Sequence, residues 1–524
     1  MDSYSLAELL RKPRCAHRVN SDRVAVTFGS RHLTYDELDA RSDRLASGLR
    51  AHGFVKGDRV GVLMYNRLEW VETFFALAKL GGVAVPINYL LKPHEVSYIA
   101  DDAGLGWLIY EKQLADLIGE TRKINTAARR YVGIETADAP ADVLDYEVLI
   151  DSGEHIPDAL PLAEVSADDL LLLQYTSGTT GHPKGAMHTH STVLWNAFHQ
   201  IVDYRVTADE VYLIVPALCW AAGFHYIALA TLWRGGRVVL NPSTGFDPAD
   251  FLATVQRERI TSTFLVPTVL KRVLAEPSFD THDLSSLRLV CSGGEPVPVT
   301  AIQEMRNRLP SCDLVQSYGM SEFPCVMAYL EPAYSVTKLG STGRSSSAAE
   351  VRVVDESSHD VPPGEPGEII CRSPASMIGY YRRPEASAAT LVDGWLHTGD
   401  LGYVDEDGFI YIAGRAKDML ISGGLNVYPA EVERVIAQHP AVQEAAVIGL
   451  PDDRWGEIGH ALVVLHPTSQ LSETELLNYL DPELAKYKIP KRFTIRHEPL
   501  PRTTSGKVQK FVVREQIELS ETRD

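Results

Sequence analysis

The residues best suited to chemistry lie in one stretch, 175–185, which reads YTSGTTGHPKG and packs five hydroxyl side chains, interleaved glycines and a lysine into eleven residues. A packed core does not ask for that composition. Thr176, Ser177, Gly178, Thr179, Thr180 and Gly181 let the backbone approach an anion, their hydroxyls and N–H groups can donate to its oxygens, and the Lys184 ammonium adds a point charge. The apolar run 170–173 just before it reads as a buried strand. The stretch is then a loop leaving a strand, the usual place for a phosphate. A plain surface turn rarely needs so many hydroxyls and a lysine.

Two further loops carry suitable groups. The strand-like run 287–291 leads straight into Ser292, Gly293, Gly294, Glu295 and Pro296, a second glycine-bearing loop at a strand end and so a wall of the same crevice. The short run 313–315 leads into Gln316, Ser317, Tyr318, Gly319, Met320, Ser321 and Glu322. There Tyr318 could stack on a base and Glu322 could hold a magnesium ion that bridges phosphates. Taken singly, each is more often structural. Asp400 and Arg415 fall at strand-turn positions, where an acidic side chain can bind ribose hydroxyls and a solvated surface turn is the plain alternative. Asp405, Glu406 and Asp407 are ordinary turn chemistry. Lys507 follows a Ser-Gly pair near the C-terminus, and spacing alone does not single it out.

These loops need a scaffold. At 524 residues the chain is too long for one ordinary core, so two or more domains are expected. Thr34 and Glu37 have capping-box spacing, Leu38, Leu45 and Leu49 recur on one helical face, and Gly53 follows as a helix stop. A strand at 60–64, a helix at 70–80, a strand at 83–87 and an apolar run at 107–110 continue the alternation, which resumes at 238–240 and 263–266. This is the pattern of an α/β fold with doubly wound, mainly parallel sheets. From 340 to 372 short strands separated by Gly, Pro and Ser suggest a small β subdomain. The last hundred residues read as a separate α+β module, with helices at 429–438 and 473–480 and strands at 442–448, 460–465 and 493–496. The apolar run 211–233 is as long as a membrane span, but Pro216, Gly223 and His225 interrupt it, so a buried strand, turn and helix are expected.

Composition narrows the class. The chain is 45% hydrophobic and 23% charged, as a soluble globular protein is, and its formal net charge of −19 argues against nucleic-acid binding. Six scattered cysteines without a CxxC pair read as reduced, the N-terminus has no signal-peptide core, and a cytoplasmic protein without a transmembrane segment is expected.

In this order the motifs resemble the adenylate-forming (AMP-binding) superfamily of acyl-CoA synthetases, adenylation domains and luciferases. YTSGTTGHPKG is similar to its phosphate loop, SGGEP and SYGMSE to its nucleotide loops, HTGD and GRAKD to its ribose and hinge segments, and PRTTSGKVQK to its C-terminal lysine motif. A Walker A loop is excluded, because 181–185 lacks the GK pair and the following Ser or Thr. The resemblance implies an adenylation domain over 1–416 with a β-rich part at about 335–416, and a mobile C-terminal lid over 417–524 hinged at Lys417. It implies that the loop from Thr176 to Lys184 embraces the β and γ phosphates, and that Glu322, with Thr176, binds Mg2+. Gly294, Glu295, Pro296 and Tyr318 would enclose adenine within a nucleotide site that also takes in Gln316, Ser317, Gly319, Met320 and Ser321. Asp400 and Arg415 would take the ribose, and Lys507 would bridge the carboxylate and the α-phosphate. Lys507, Glu322 and Lys184 are the implied catalytic residues.

The implied activity is ATP-dependent acid–CoA ligation through acyl-AMP, with ATP, Mg2+ and coenzyme A as cofactors and co-substrates. Ser422, Gly423 and Gly424 would line the pantetheine tunnel. The acyl pocket would use Trp220, Gly223, Phe224, Val266, Gly293 and Phe323; its lining is mostly apolar and without Lys or Arg, which fits a hydrophobic monocarboxylic acid, medium-chain aliphatic, cyclic or aromatic. Where relatives commonly carry an aromatic-His pair, this chain has Leu218, Cys219 and Trp220. A stand-alone adenylation enzyme that loads a carrier protein stays open as the alternative, followed by a luciferase-like oxygenase and a non-catalytic nucleotide-binding regulator. Coenzyme A is favoured because no carrier domain is expected after Lys507. Expected partners are the acid, ATP and CoA, with no nucleic acid and a homodimer as candidate assembly.

Overall fold

The strand and helix signals of the N-terminal part fold as two mainly parallel sheets. The computed structural model describes residues 5–10, 22–125, 127–136, 138, 140–153, 164–176, 183–295, 297–415, 418–422, 425–452, 454–502 and 508–521. A seven-stranded sheet takes, in spatial order, Val143–Asp145, Arg130–Ile134, Trp107–Glu111, Arg59–Leu63, Val83–Pro86, Leu170–Thr176 and Lys184–Thr189. All its pairings are parallel except the last. A nine-stranded sheet takes Arg344–Ser345, Phe323–Leu330, Asp313–Met320, Leu289–Gly293, Ser262–Phe264, Val211–Ile214, Arg237–Leu240, Val24–Phe28 and Arg31–Thr34, antiparallel only at its two edges.

One helix ties these sheets together. Leu68–Leu80 is buried at every position, and its Phe74 and Phe75 share a core with Val26 and Leu240 of one sheet and Val62 and Leu172 of the other. A helix enclosed on all sides must pair its charges. Lys79 Nζ lies 2.6 Å from Asp39, Arg41 Nε 2.7 Å from Glu72, and Arg67 Nε 2.8 Å from Glu69. The preceding helix, Tyr35–Ala51, carries the expected capping box at Thr34 and Glu37 and buries Leu38, Leu45 and Leu49. Gly53 follows with φ +85°, the left-handed conformation that ends a helix most easily at glycine. The apolar run after Glu210 resolves into the strand Val211–Ile214 and the helices Ala221–Phe224 and Ala228–Arg234. Among the described residues no helix is long and apolar enough to cross a membrane.

The chain forms two compact units, Met1–Val351 with Cys371–Leu396, and Arg352–Ile370 with His397–Asp524. In the second unit residues 400–404 pair with Ile410–Arg415 across the turn at 405–408, where Asp405 Oδ1 accepts from the N–H groups of Asp407 and Phe409. This unit also holds the C-terminal module. Gly456–Leu465 pairs with Leu420–Ser422, Val442–Asp452 and Arg492–Arg496, and the module's core packs Val432 and Ile436 of the helix Pro429–Ile436 with Leu476 and Leu480 of Glu473–Leu480. Lys417, the implied boundary, lies outside the described residues.

Candidate active site

The stretch 175–185, the candidate phosphate loop, begins and ends in the two paired strands of a hairpin. Leu170–Thr176 and Lys184–Thr189 are antiparallel neighbours, with Thr176 directly opposite Lys184, so both ends of the loop are fixed by sheet pairing. Ser177, Gly178, Thr179, Thr180 and Gly181 lie outside the described residues. The base of the hairpin is braced from the helix Pro93–Ala103. Tyr98 donates its hydroxyl to the Pro183 carbonyl at 3.1 Å, Tyr175 donates to Asp102 Oδ2 at 2.7 Å, and Arg383 pairs with the same carboxylate. Burial, with Asp102 beside it, holds the Tyr175 phenol far above its usual range and hence protonated as a donor.

Glu322 stands in a second hairpin. The strand from Asp313 runs on to Met320, bulges there, turns at Ser321 and Glu322 and returns as Phe323–Leu330. A loop was expected after residue 315. The returning strand buries Val326, Met327 and Ala328 in succession, so no alternation marks it in the sequence. His188 of the first hairpin donates from Nε2 to the Ser321 carbonyl at 2.8 Å. Burial pushes that imidazole down to about 4, so it is neutral at physiological pH.

Residues 377–383 join the two hairpins. Met377 N–H donates to the Glu322 carbonyl at 2.8 Å, while Ile378 and Tyr381 donate to Met187 and Gly185 of the first hairpin at 3.0 and 2.8 Å. The Tyr380 hydroxyl donates to Glu322 Oε1 at 2.8 Å, and Lys184 Nζ lies 5.1 Å from the centroid of the same ring. Lys184 and the buried Glu322 are thereby brought to the two sides of one side chain. Tyr380 carries no signal in the sequence, since it lies 58 residues from Glu322 in a segment without chemistry-bearing spacing.

The remaining candidate nucleotide residues are placed as follows. Gly293 lies opposite Ser317 in parallel register, and a Cβ on it would come 2.4 Å from the Ser317 carbonyl, so only glycine lets these strand ends close. Gly294 follows at φ +84° and Glu295 is exposed; Pro296 is outside the described residues. Tyr318 is largely buried, whereas Gly319, Met320 and Ser321 are partly exposed. Ser317 Oγ is engaged by the Tyr226 and Tyr204 hydroxyls at 2.6 and 3.2 Å, which gives it a bracing role in the fold. In the second unit Asp400 and Arg415 are register partners with Arg415 Nε 2.6 Å from Asp400 Oδ1, a buried carboxylate oriented by its neighbour. Ser422 is paired with Leu425 and Gly456, and beside Gly456 the exposed Trp455 ring carries the Arg454 guanidinium at 4.9 Å. Lys417, Gly423, Gly424 and Lys507 are outside the described residues, but Arg502 and Val508, which flank Lys507, pair with each other.

The acyl-pocket candidates divide. Trp220 is half-buried against the cluster of Leu173, Ala217 and Cys219, and Val266 is half-buried at the start of the helix Pro267–Leu274. Gly223 meets the Ala217 carbonyl so closely that a Cβ would lie 2.2 Å from it. Phe224 and Phe323 are fully enclosed, the first 4.9 and 5.0 Å from the Trp70 and Phe74 rings, the second edge-on to His199. Burial pushes the Cys219 thiol up to about 12, so it is an uncharged wall. Trp220 Nε1, Gln174 Oε1, Ser292 Oγ and Gln316 Nε2 are buried without a hydrogen-bond partner. Polar atoms in that condition suit a polar ligand.

Magnesium fits the Glu322 turn on chemical grounds. Among the described residues no cluster of three or more His, Cys, Asp or Glu could cage an ion. Mg2+ instead binds through one or two carboxylates plus substrate phosphates, and Glu322 offers one buried carboxylate already oriented by Tyr380.

Known proteins agree with this arrangement along the chain. The family model for AMP-binding enzymes matches residues 14–381, and that for the AMP-binding enzyme C-terminal domain matches residues 431–507. A feruloyl-CoA synthase of Amycolatopsis sp is 42% identical over 499 residues, covering 95% of this chain and 96% of that enzyme. An indoleacetate–CoA ligase of Aromatoleum aromaticum is 38% identical over 497 residues, covering 94% and 95%. The solved structure of the anthranilate CoA ligase AuaEII in complex with anthranoyl-AMP superposes with a TM-score of 0.89 at 30% identity, covering 99% of this chain and 98% of that one. The chain belongs to the AMP-binding enzyme family, in its acyl-CoA synthetase branch.

Proposed function

We infer that the protein is an ATP-dependent acid–CoA ligase that takes a hydrophobic monocarboxylic acid, aromatic in preference to aliphatic. The observation that carries the reading is the joining of Lys184 and Glu322 through Tyr380, which sets a cation and a metal-binding carboxylate beside a loop built for phosphates. An aromatic acid is supported by three relatives, named for ferulate, indoleacetate and anthranilate, while a relative at 37% identity is named for long-chain fatty acids.

A carboxylate is a poor electrophile at neutral pH, so its oxygen must first attack the α-phosphate of ATP. The bond to the departing pyrophosphate breaks as acyl-AMP forms, and the enzyme must offset the charge that builds on both. Lys184 and the hydroxyls of 176–180 are assigned to the β and γ phosphates, and Lys507 to the carboxylate and α-phosphate. Glu322, with Thr176, would hold Mg2+, which would supply charge neutralisation to the phosphates. Asp400 and Arg415 are assigned to the ribose, and Gly294, Glu295, Pro296 and Tyr318 to adenine. In the second half-reaction the thiol of coenzyme A attacks the acyl carbonyl and AMP leaves. Rotation at Lys417 and passage of pantetheine beside Ser422, Gly423 and Gly424 belong to this step.

Assembly as a homodimer is part of the proposal, and the exposed Phe198 and Val202 on the helix His190–Asp203 offer an apolar face for it. A cytoplasmic location fits the buried free thiols of Cys219, Cys291, Cys312 and Cys371. The test is a panel of aryl and alkyl acids assayed for pyrophosphate release and for thioester, with coenzyme A and with a carrier protein as thiol. Pyrophosphate release that needs the acid, followed by CoA thioester, is expected. Thioester on the carrier protein alone overturns the CoA assignment, and no acid-dependent pyrophosphate overturns the ligase.

A further inference from the structure

We propose that Tyr380 is a positioning residue for adenylation, orienting Glu322 for Mg2+ through its hydroxyl and parking Lys184 over its ring until the phosphates arrive. The proposal rests on the ligase reading. Its basis is geometric. The hydroxyl donates to one Glu322 oxygen at 2.8 Å, and the Lys184 ammonium lies 5.1 Å from the ring centroid. A carboxylate hydrogen-bonded through one oxygen keeps its orientation while the other oxygen can meet an ion, and such supporting partners matter to metal affinity nearly as much as the ligands do. An ammonium over an aromatic face is held loosely enough to exchange that contact for phosphate oxygens.

The backbone around Tyr380 makes the ring a fixed support. Tyr380 forms an isolated antiparallel bridge with Ala186 of the first hairpin, and its N–H donates to Ser387 Oγ at 2.8 Å. On one side Met377 N–H holds the Glu322 carbonyl, and on the other Arg383 pairs with Asp102, which also receives the Tyr175 hydroxyl. The ring therefore sits where the metal turn, the phosphate hairpin and the helix Pro93–Ala103 are stitched together. A shift of one is felt by the other two.

Two substitutions separate the two contacts. Tyr380→Phe keeps the ring beneath Lys184 and removes the hydroxyl, whereas Tyr380→Leu removes both. Calorimetry of ATP binding at a series of Mg2+ concentrations reads the site without turnover. Tyr380→Phe should raise the Mg2+ concentration for half-maximal ATP binding about tenfold, and leave ATP affinity at saturating Mg2+ within about twofold of the parent. Tyr380→Leu should weaken ATP binding at saturating Mg2+ as well. In a Glu322→Gln background Tyr380→Phe should add nothing, because the hydroxyl acts through that carboxylate. Unchanged Mg2+ dependence in Tyr380→Phe, equal weakening at every Mg2+ concentration, or an added loss on top of Glu322→Gln each overturns the proposal. Failure of the ligase reading looks different: a parent protein that binds ATP with Mg2+ yet makes neither acyl-AMP nor thioester, which leaves the calorimetric comparison intact.

Discussion

Two lysine-bearing segments are closed at the base by antiparallel contacts, and they differ in where the lysine stands. In the first, Lys184 is itself the closing residue, opposite Thr176 at the edge of a seven-stranded sheet, and it lies against the braced Tyr380 ring. In the second, Arg502 and Val508 close the segment and Lys507 lies between them. Its flanks are anchored through Glu444, which pairs with Arg502 and accepts the Leu500 N–H at 2.9 Å, and through Gln509 N–H on the Pro501 carbonyl. On the proposed roles, the charge assigned to the β and γ phosphates begins a sheet strand, and the charge assigned to the adenylation step falls in sequence between two anchored flanks.

The largest test of this contrast is Lys507→Ala. It should slow acyl-AMP formation by on the order of a hundredfold or more, the scale of losing a donor aimed at developing charge. Thioester formation from supplied acyl-AMP should be largely spared. Pyrophosphate release and thiol consumption measured separately check it, and equal loss of both steps breaks the contrast. Lys417→Pro comes next. It should lock one arrangement and slow the half-reaction that needs the other by about a hundredfold, the cost of misplaced reacting groups. Normal turnover in that variant argues against the hinge.

Lys184→Ala should be milder, raising the ATP concentration needed for adenylation about tenfold, as loss of one charged contact to phosphate does. Again the thioester step from supplied acyl-AMP should be unaffected. A Lys184 loss as large as that of Lys507 would mean that both charges act at the reacting phosphorus, and the proposed division of roles between the two lysines would fall.

Local chemistry was legible in the sequence and pairing was not. The composition of 175–185 marked a candidate phosphate loop, and the spacings of Leu38, Leu45 and Leu49 marked a buried helix face that the fold contains. That Lys184 begins a strand opposite Thr176 is a relation between two strands, and periodicity within either one is silent on it. The Glu322 turn was hidden because its returning strand is buried on both faces and so shows no alternation. Tyr380 is the clearest case. Its partners lie 58 and 196 residues away, and the backbone bonds of 378–381 to Gly185 and Met187 bring them together. Phe224 and Phe323 show the opposite limit, since aromatic residues beside a binding loop serve the core as readily as the pocket.

The smallest expected effect concerns acid. Burial holds His188 down at about 4 and His225 at about 3, both below the ordinary 6.5. Each ring is neutral in the fold, and the unfolded chain takes up a proton that the fold refuses. Their stabilisation is therefore complete above about 6.5 and is lost as the pH falls from there toward 4, by on the order of a few kcal/mol at the limit. Neither nitrogen of His225 has a hydrogen-bond partner, and its ring lies among Phe74 and Phe224 at 5.7 and 6.1 Å. His225→Phe should thus raise stability at neutral pH by about 1 kcal/mol and flatten the fall between pH 7 and 5, as denaturant melts at the two pH values would read. Since His188 joins the two hairpins of the phosphate side, hydrogen exchange on mild acidification should rise in 184–189 and 313–330 before it rises in Val442–Asp452. If the C-terminal strands loosen first, protonation of His188 is not what frees the two hairpins.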